Sequence, residues 1–311
     1  GYGILKNLKT GCVFDCEFCK PFLGKVFPVN LHEKSILDLE CFDNILNIKE
    51  DIDLAIVVVP SRIVLKIIQE CIKKKVGSVI IISAGFGELG KEGLERQNEL
   101  VEILNGAKIP MLGPNCLGII RPGINMNASF APSMPPLGDV AFISQSGALI
   151  DSVVDWAIER KYGFSAIVSY GNKAMLKLHH FLEYFDSDPQ TKVIALYLEG
   201  IEDGRKFMEI AKNVKKPIIA LKGGRTMNGV KAISSHTGSL AGDYEVYKAA
   251  FKQSGIFIVD TVEELFDGAF TLASSCLLNG DVAIITNGGG CGVLCADYCE
   301  EMGVNLAELK D

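Results

Sequence analysis

Short β-branched runs, each followed by a turn rich in glycine or small polar residues and then by an amphipathic stretch, recur along almost the whole of this chain. That alternation predicts parallel strands joined by crossover helices, because strands with helices on both faces lose the period-two polarity of half-exposed strands. Strands are expected over 25–30, 53–60, 78–83 and 109–112. Helices are expected over 61–75, capped by Ser61, and over 90–106, with the start of a further helix at Gly1. The pattern restarts with strands at 139–144, 164–170, 192–199, 217–222 and 256–259. Helices are expected at 146–161, 175–185, 204–215, 243–254 and 261–273. A further strand at 281–286 and helix at 292–302 open a third block.

Prolines concentrate between these blocks, at Pro122, Pro132, Pro135 and Pro136, which marks 125–138 as a junction. The expected organisation is a Rossmann-like domain over 1–125, a flavodoxin-like doubly wound domain over 126–275, and the beginning of a second flavodoxin-like domain over 276–311. The chain opens on Gly1 and reads as a piece of something longer. Its net charge of −7 and the lack of a basic patch beyond Lys73–Lys75 argue against nucleic acid. No apolar run is long enough to span a bilayer and no signal peptide is recognisable, so no membrane association and a cytoplasmic location are expected.

In open parallel sheets ligands gather at the carboxyl ends of strands. Here those ends carry Val59-Pro60, Ser83-Ala84-Gly85, Asn115-Cys116, Ser144-Gln145-Ser146-Gly147 and Glu199-Gly200. Ser144, Ser146 and Gly147 lie where a strand gives way to a helix, so the amides of the first turn and the helix dipole would favour a phosphate. An ordinary N-cap would use the same residues. Glu199 ends an otherwise apolar strand and could either cap the next segment or orient an imidazole. The stretch 234–242, Ser-Ser-His-Thr-Gly-Ser-Leu-Ala-Gly, sets His236 among small residues and hydroxyls. An imidazole there could carry a phosphoryl group, with Gly238 leaving room for phosphate oxygens, or could simply sit idle in a surface loop.

Five motifs occur in order: Gly113-Pro114-Asn115-Cys116-Leu117-Gly118, Ile143-Ser144-Gln145-Ser146-Gly147-Ala148, Gly171-Asn172-Lys173, Leu196-Tyr197-Leu198-Glu199-Gly200 and the His236 stretch. In this the chain resembles the NDP-forming acyl-CoA synthetases, in particular the α subunits of ADP-forming acetate–CoA ligases, relatives of the succinyl-CoA synthetase α subunit. Thr286-Asn287-Gly288-Gly289-Gly290 extends the likeness. The resemblance implies that acyl-CoA, ADP and phosphate are converted to acid, CoA and ATP through an acyl phosphate and a phosphohistidine. It implies His236 as phosphate carrier, Glu199 as its stabilising carboxylate, and Ser144, Ser146, Gly147 and Gly238 as the phosphate cradle. Val59, Pro60, Ser83, Ala84, Gly85, Asn115 and Cys116 become CoA contacts. ADP/ATP and Mg are expected on an ATP-grasp β subunit or domain, in a hetero-oligomer.

Three departures stand beside the likeness. The family's glycine-rich turn for the CoA phosphates is expected before Gly1, and Cys291 stands where relatives carry proline. Cys12, Cys16 and Cys19 form an insertion that resembles the cluster-binding motif of radical S-adenosylmethionine enzymes. That motif belongs after the first strand of a barrel, not in a Rossmann-type unit, so uninvolved thiols are expected and no metal is assigned. Cys291, Cys295 and Cys299 recur every four residues and are read as one buried helical stripe. Two other functions compete with the synthetase reading. One is a non-catalytic CoA-binding regulatory module or acetyltransferase scaffold, relatives of which often lack the histidine. The other is a serine hydrolase, for which no nucleophile-elbow pattern exists.

Overall fold

The computed structural model describes residues 22–231, 243–274 and 280–308. The expected helix at Gly1, the cysteines 12, 16 and 19, and His236 and Gly238 lie outside the described residues. The chain divides into two units, Gly1–Ala273 and Ser274–Asp311.

Two short antiparallel strands come first, β1 (Ser35–Ile36) and β2 (Leu39–Glu40). The strand expected over 25–30 is instead a single bridge from Val29 to Phe42. Pro28, which has no N–H to give, interrupts a regular ladder there. A three-stranded parallel sheet follows, made of β3 (Leu54–Val57), β4 (Ser78–Ile81) and β5 (Met111–Leu112) in that order. Its crossovers are α1 (Ser61–Lys74) and α2 (Lys91–Ala107). Val64, Ile68 and Cys71 are the buried residues of α1, one stripe at helical spacing. Ser61 does not cap α1 as expected. Pro60 holds the extended backbone of the cap position (φ −53°, ψ 138°), which leaves Ser61 as the first helical residue, with no side-chain cap.

The second sheet has seven strands: β6 (Gly118–Arg121), β7 (Met126–Ser129), β8 (Leu137–Ser144), β9 (Phe164–Ser169), β10 (Val193–Leu198), β11 (Ile218–Lys222) and β12 (Phe257–Val259). They lie in the order β12-β11-β10-β8-β9-β6-β7. The five parallel strands have the flavodoxin order. Crossovers and flanks are α3 (Gly147–Arg160), α4 (Leu178–Ser187), α5 (Gly204–Asn213), α6 (Tyr244–Gln253) and α7 (Val262–Ser274). Alternate residues of β10 feed opposite cores. Ile194, Leu196 and Leu198 pack on one face, while Val193 and Ala195 pack on the other with Phe142, Phe164 and Phe266.

Sequence pattern did not foresee that β6 and β7 form an antiparallel hairpin that pairs with β9. Residue 125, the expected boundary, lies in the turn of that hairpin. Arg121 of β6 anchors it through two hydrogen bonds to Asp188 at the end of α4, 3.0 and 2.7 Å long. Burial alone would raise the Asp188 carboxyl. The bonds from Arg121 and Thr191, with the Arg121 charge, together outweigh burial and hold it below the usual range.

In Ser274–Asp311 the described residues form one helix, α8 (Gly289–Glu301), and a bridge from Val282 to Leu306 where a longer strand was expected. None of the α8 residues is buried. Cys291 and Cys295 are exposed and Cys299 partly so, which overturns the buried cysteine stripe. Four-residue spacing sets three thiols on one face, but burial also needs an apolar surface packed against that face, and among the described residues none buries it. No described helix is long and apolar enough to cross a membrane.

Candidate functional site

At the end of the first sheet the polar groups are tied to one another. The Ser83 hydroxyl accepts from the Val59 amide (3.1 Å) and donates to the Val59 carbonyl (2.5 Å), and the Asn115 amide donates to the Ser83 carbonyl (3.0 Å). Three strand ends are thus laced into one rim. Pro60, Ala84 and Asn115 are exposed on it and Gly85 is buried beneath. The Cys116 thiol turns inward, donates to the Ile81 carbonyl (3.4 Å) and is pushed up to about 12 by burial, so it presents no thiolate to the rim.

Glu88, Gln97 and Asn172 brace this rim, and none of the three was singled out from the sequence for a site role. Glu88 accepts from the Gly85 (2.5 Å) and Phe86 (3.1 Å) amides, and Gln97 accepts from Gly87 (3.2 Å). The Asn172 amide group donates to Glu88 (2.6 Å) and Gln97 (3.0 Å), while its oxygen accepts from the Asn115 side chain (3.2 Å). Burial would raise the Glu88 carboxyl, but the bonds from Asn172, Gly85 and Phe86 together hold it below the usual range. Only the spacing of Gly171-Asn172-Lys173 hinted at this brace, because its partners are far away in sequence. Gly171 permits the approach: at φ +54°, a Cβ there would lie 2.3 Å from the Pro114 carbonyl oxygen and 2.4 Å from that of Asn115.

The second sheet ends differently. Ser146 is the N-cap of α3, its hydroxyl accepting from the Leu149 amide (3.3 Å). The buried Ser144 hydroxyl accepts from the Ser146 amide (3.0 Å) and donates to its carbonyl (2.8 Å), which fixes the turn. Gly147 begins the helix without bulk, so the first-turn amides and the positive dipole end stand together. Between the two serines, Gln145 reaches across to β10. Its oxygen accepts from the Glu199 and Gly200 amides, the latter at 2.9 Å, and its nitrogen donates to the Gly200 carbonyl (2.6 Å). That carboxamide joins the helix terminus to the buried Glu199. Ser144, Ser146, Gly147 and Glu199 are therefore brought together, whereas His236 and Gly238 lie outside the described residues.

Beside Gly200 lies a small cleft of about 20 Å³ whose lining includes Gln145, Tyr170, Lys173, His179 and Glu202. Burial lowers the Lys173 ammonium, and Glu202, 3.9 Å away, opposes that. Among the described residues no cluster of three or more histidine, cysteine, aspartate or glutamate side chains could hold a metal ion.

With this geometry in view, known proteins place the chain. Residues 1–122 match the family described as a CoA binding domain, and residues 137–272 match the succinyl-CoA ligase like flavodoxin domain. The chain belongs to the ADP-forming acyl-CoA synthetases. It is 48% identical to acetate–CoA ligase [ADP-forming] I of Archaeoglobus fulgidus across its whole length, which is 44% of that protein. It is 44% identical, again over its whole length, to the α subunit of acetate–CoA ligase [ADP-forming] I of Pyrococcus furiosus and covers 68% of it. A solved acetyl-coenzyme A synthetase 1 of Candidatus Korarchaeum cryptofilum, in complex with phosphate and ADP, superposes with a TM-score of 0.87 at 40% identity. That match covers 93% of this chain and 63% of the other. The chain thus spans less than half the length of the Archaeoglobus relative.

Proposed function

We propose that this chain carries the CoA-ligase part of an ADP-forming acyl-CoA synthetase of the acetate–CoA ligase type, working in the cytoplasm. Phosphate, held by the first-turn amides of α3 with Ser144, Ser146, Gly147 and Gly238, attacks the thioester carbonyl. The C–S bond breaks, CoA leaves as the thiol and an acyl phosphate remains. His236 then attacks phosphorus, the carboxylate of the acid departs, and phospho-His236 passes its phosphoryl group to ADP. Glu199 accepts a hydrogen bond from the other ring nitrogen, which fixes the attacking tautomer. CoA lies on the rim of Val59, Pro60, Ser83, Ala84, Gly85 and Asn115, with Cys116 contributing backbone only. ADP and Mg belong to an ATP-grasp subunit or domain, so the working protein is a hetero-oligomer or a fusion.

One observation carries this reading. The Gln145 carboxamide locks a phosphate-suited helix terminus and a buried carboxylate onto neighbouring strand ends. The test is incorporation of labelled phosphate into the full-length protein with its nucleotide-binding partner, acyl-CoA and phosphate. His236→Asn abolishes an acid-labile, base-stable label. A label that persists, or that sits on another residue, overturns the reading.

A further inference from the structure

Lys222, the last residue of β11, is only 1% exposed, and among the described residues it is the only lysine or arginine that is buried. A buried ammonium is costly unless it is paired. Three neighbours compensate this one. Its Nζ donates to the Gly223 carbonyl and lies 4.6 Å from the centroid of the Tyr247 ring, a cation–π geometry. The third is a charge farther off, acting without an ion-pair contact. Of the described ionisable groups, Glu199 is the one whose charge acts on Lys222, and it opposes the lowering that burial imposes.

Topology makes this closeness systematic. Leu198, just before Glu199, pairs in register with Lys222, and the Gly223 amide donates to the Leu198 carbonyl (2.8 Å). From the other side, the Tyr247 hydroxyl accepts from the Ile201 amide (2.9 Å), two residues after Glu199. One ring therefore supports the ammonium with its face and the Glu199 turn with its hydroxyl. In sequence, Lys222 precedes the His236 stretch and Tyr247 follows it. Other groups that feel the Glu199 charge are Tyr170, Lys173 and Tyr197, but Lys173 already faces Glu202.

We propose that Lys222 is a positioning residue for Glu199: its buried ammonium, held between the Gly223 carbonyl and the Tyr247 ring, keeps the Glu199 carboxylate ionised and aimed for its work on the imidazole. The inference rests on the functional reading above for the purpose of Glu199, but not for the coupling itself.

Two measurements on the full-length protein with its partner separate these. Difference infrared spectroscopy, with the band assigned through Glu199→Gln, follows Glu199 ionisation directly. In Lys222→Met the carboxylate titrates about one pH unit or more higher than in wild type. The acid limb of His236 labelling moves by the same amount, and this shift vanishes when Lys222→Met is made in the Glu199→Gln background. An unmoved Glu199 titration in folded Lys222→Met overturns the inference, whatever the labelling shows. A moved titration with no label on His236 overturns the functional reading and leaves the coupling standing. Should Lys222→Met not fold, Tyr247→Leu takes its place: it removes the ring beneath the ammonium and moves Glu199 in the same direction, and an unmoved titration again overturns the inference.

Discussion

At the ends of β3, β4 and β5 the polar groups bond one another, whereas the ends of β8, β10 and β11 carry a helix terminus, a carboxylate and an ammonium. Ser83 and Glu88 consume backbone amides and leave a rim that is satisfied before any ligand arrives. Such a rim holds a ligand by shape and by exposed backbone, with little rearrangement. Glu199 and Lys222 are instead charges kept out of water, where electrostatic effects are larger than at a surface. Under the proposed function, the same kind of sheet would support a holding site at one place and a reacting site at another. Changes at the first should act on binding, and changes at the second on rate.

The strongest way to break that contrast is Glu199→Gln, expected to slow His236 labelling about 10³-fold, or ~4 kcal/mol, with little change in KM for acyl-CoA. A KM effect alone would erase the distinction. Next is the link between the sheets: Gly171→Ala drives a Cβ into the Pro114 and Asn115 carbonyls and costs about 3 kcal/mol in denaturant unfolding. Asp188→Asn, which unfastens the β6–β7 hairpin, costs about 2 kcal/mol at neutral pH. The Asp188 carboxyl is lowered in the fold, so its stabilisation is complete above the ordinary value of 3.8 and is lost as pH falls through the lowered one. Wild type and variant should therefore differ fully above pH 3.8, begin to converge in acid unfolding below it, and coincide only below the lowered native value. Smallest is Ser83→Ala, which orphans the Val59 amide and raises KM for CoA about fivefold, ~1 kcal/mol, at constant kcat.

Periodicity made the parallel strands and their crossovers legible, since β-branched runs such as Val193–Leu198 and stripes such as Val64, Ile68 and Cys71 state their burial directly. Even the flavodoxin-like character of the second sheet could be read from repetition alone. The hairpin could not. Gly118–Arg121 and Met126–Ser129 are short, border prolines and lack strict alternation, so they look like linker until β9 supplies an edge to pair with. At the site, Ser146 and Glu199 were visible because each sits at a strand end. Gln145, though inside the same motif, showed nothing of its reach to Gly200, which is a property of strand order. Nothing in the sequence set Lys222 apart, because the ring of Tyr247 beside it comes from α6, after the His236 stretch. The cysteine stripe failed for a related reason: spacing describes a face and not what covers it.

The hairpin also bears on how this protein could be taken apart. The first part of the chain lends β6 and β7 to the sheet of the second, and they cover the flank of β9. A cut at the proline-rich junction would bare β9 as an unpaired edge, open to pairing with another molecule. A flavodoxin-like piece prepared from this protein should therefore begin ahead of Gly118, keeping the borrowed strands with the sheet they complete.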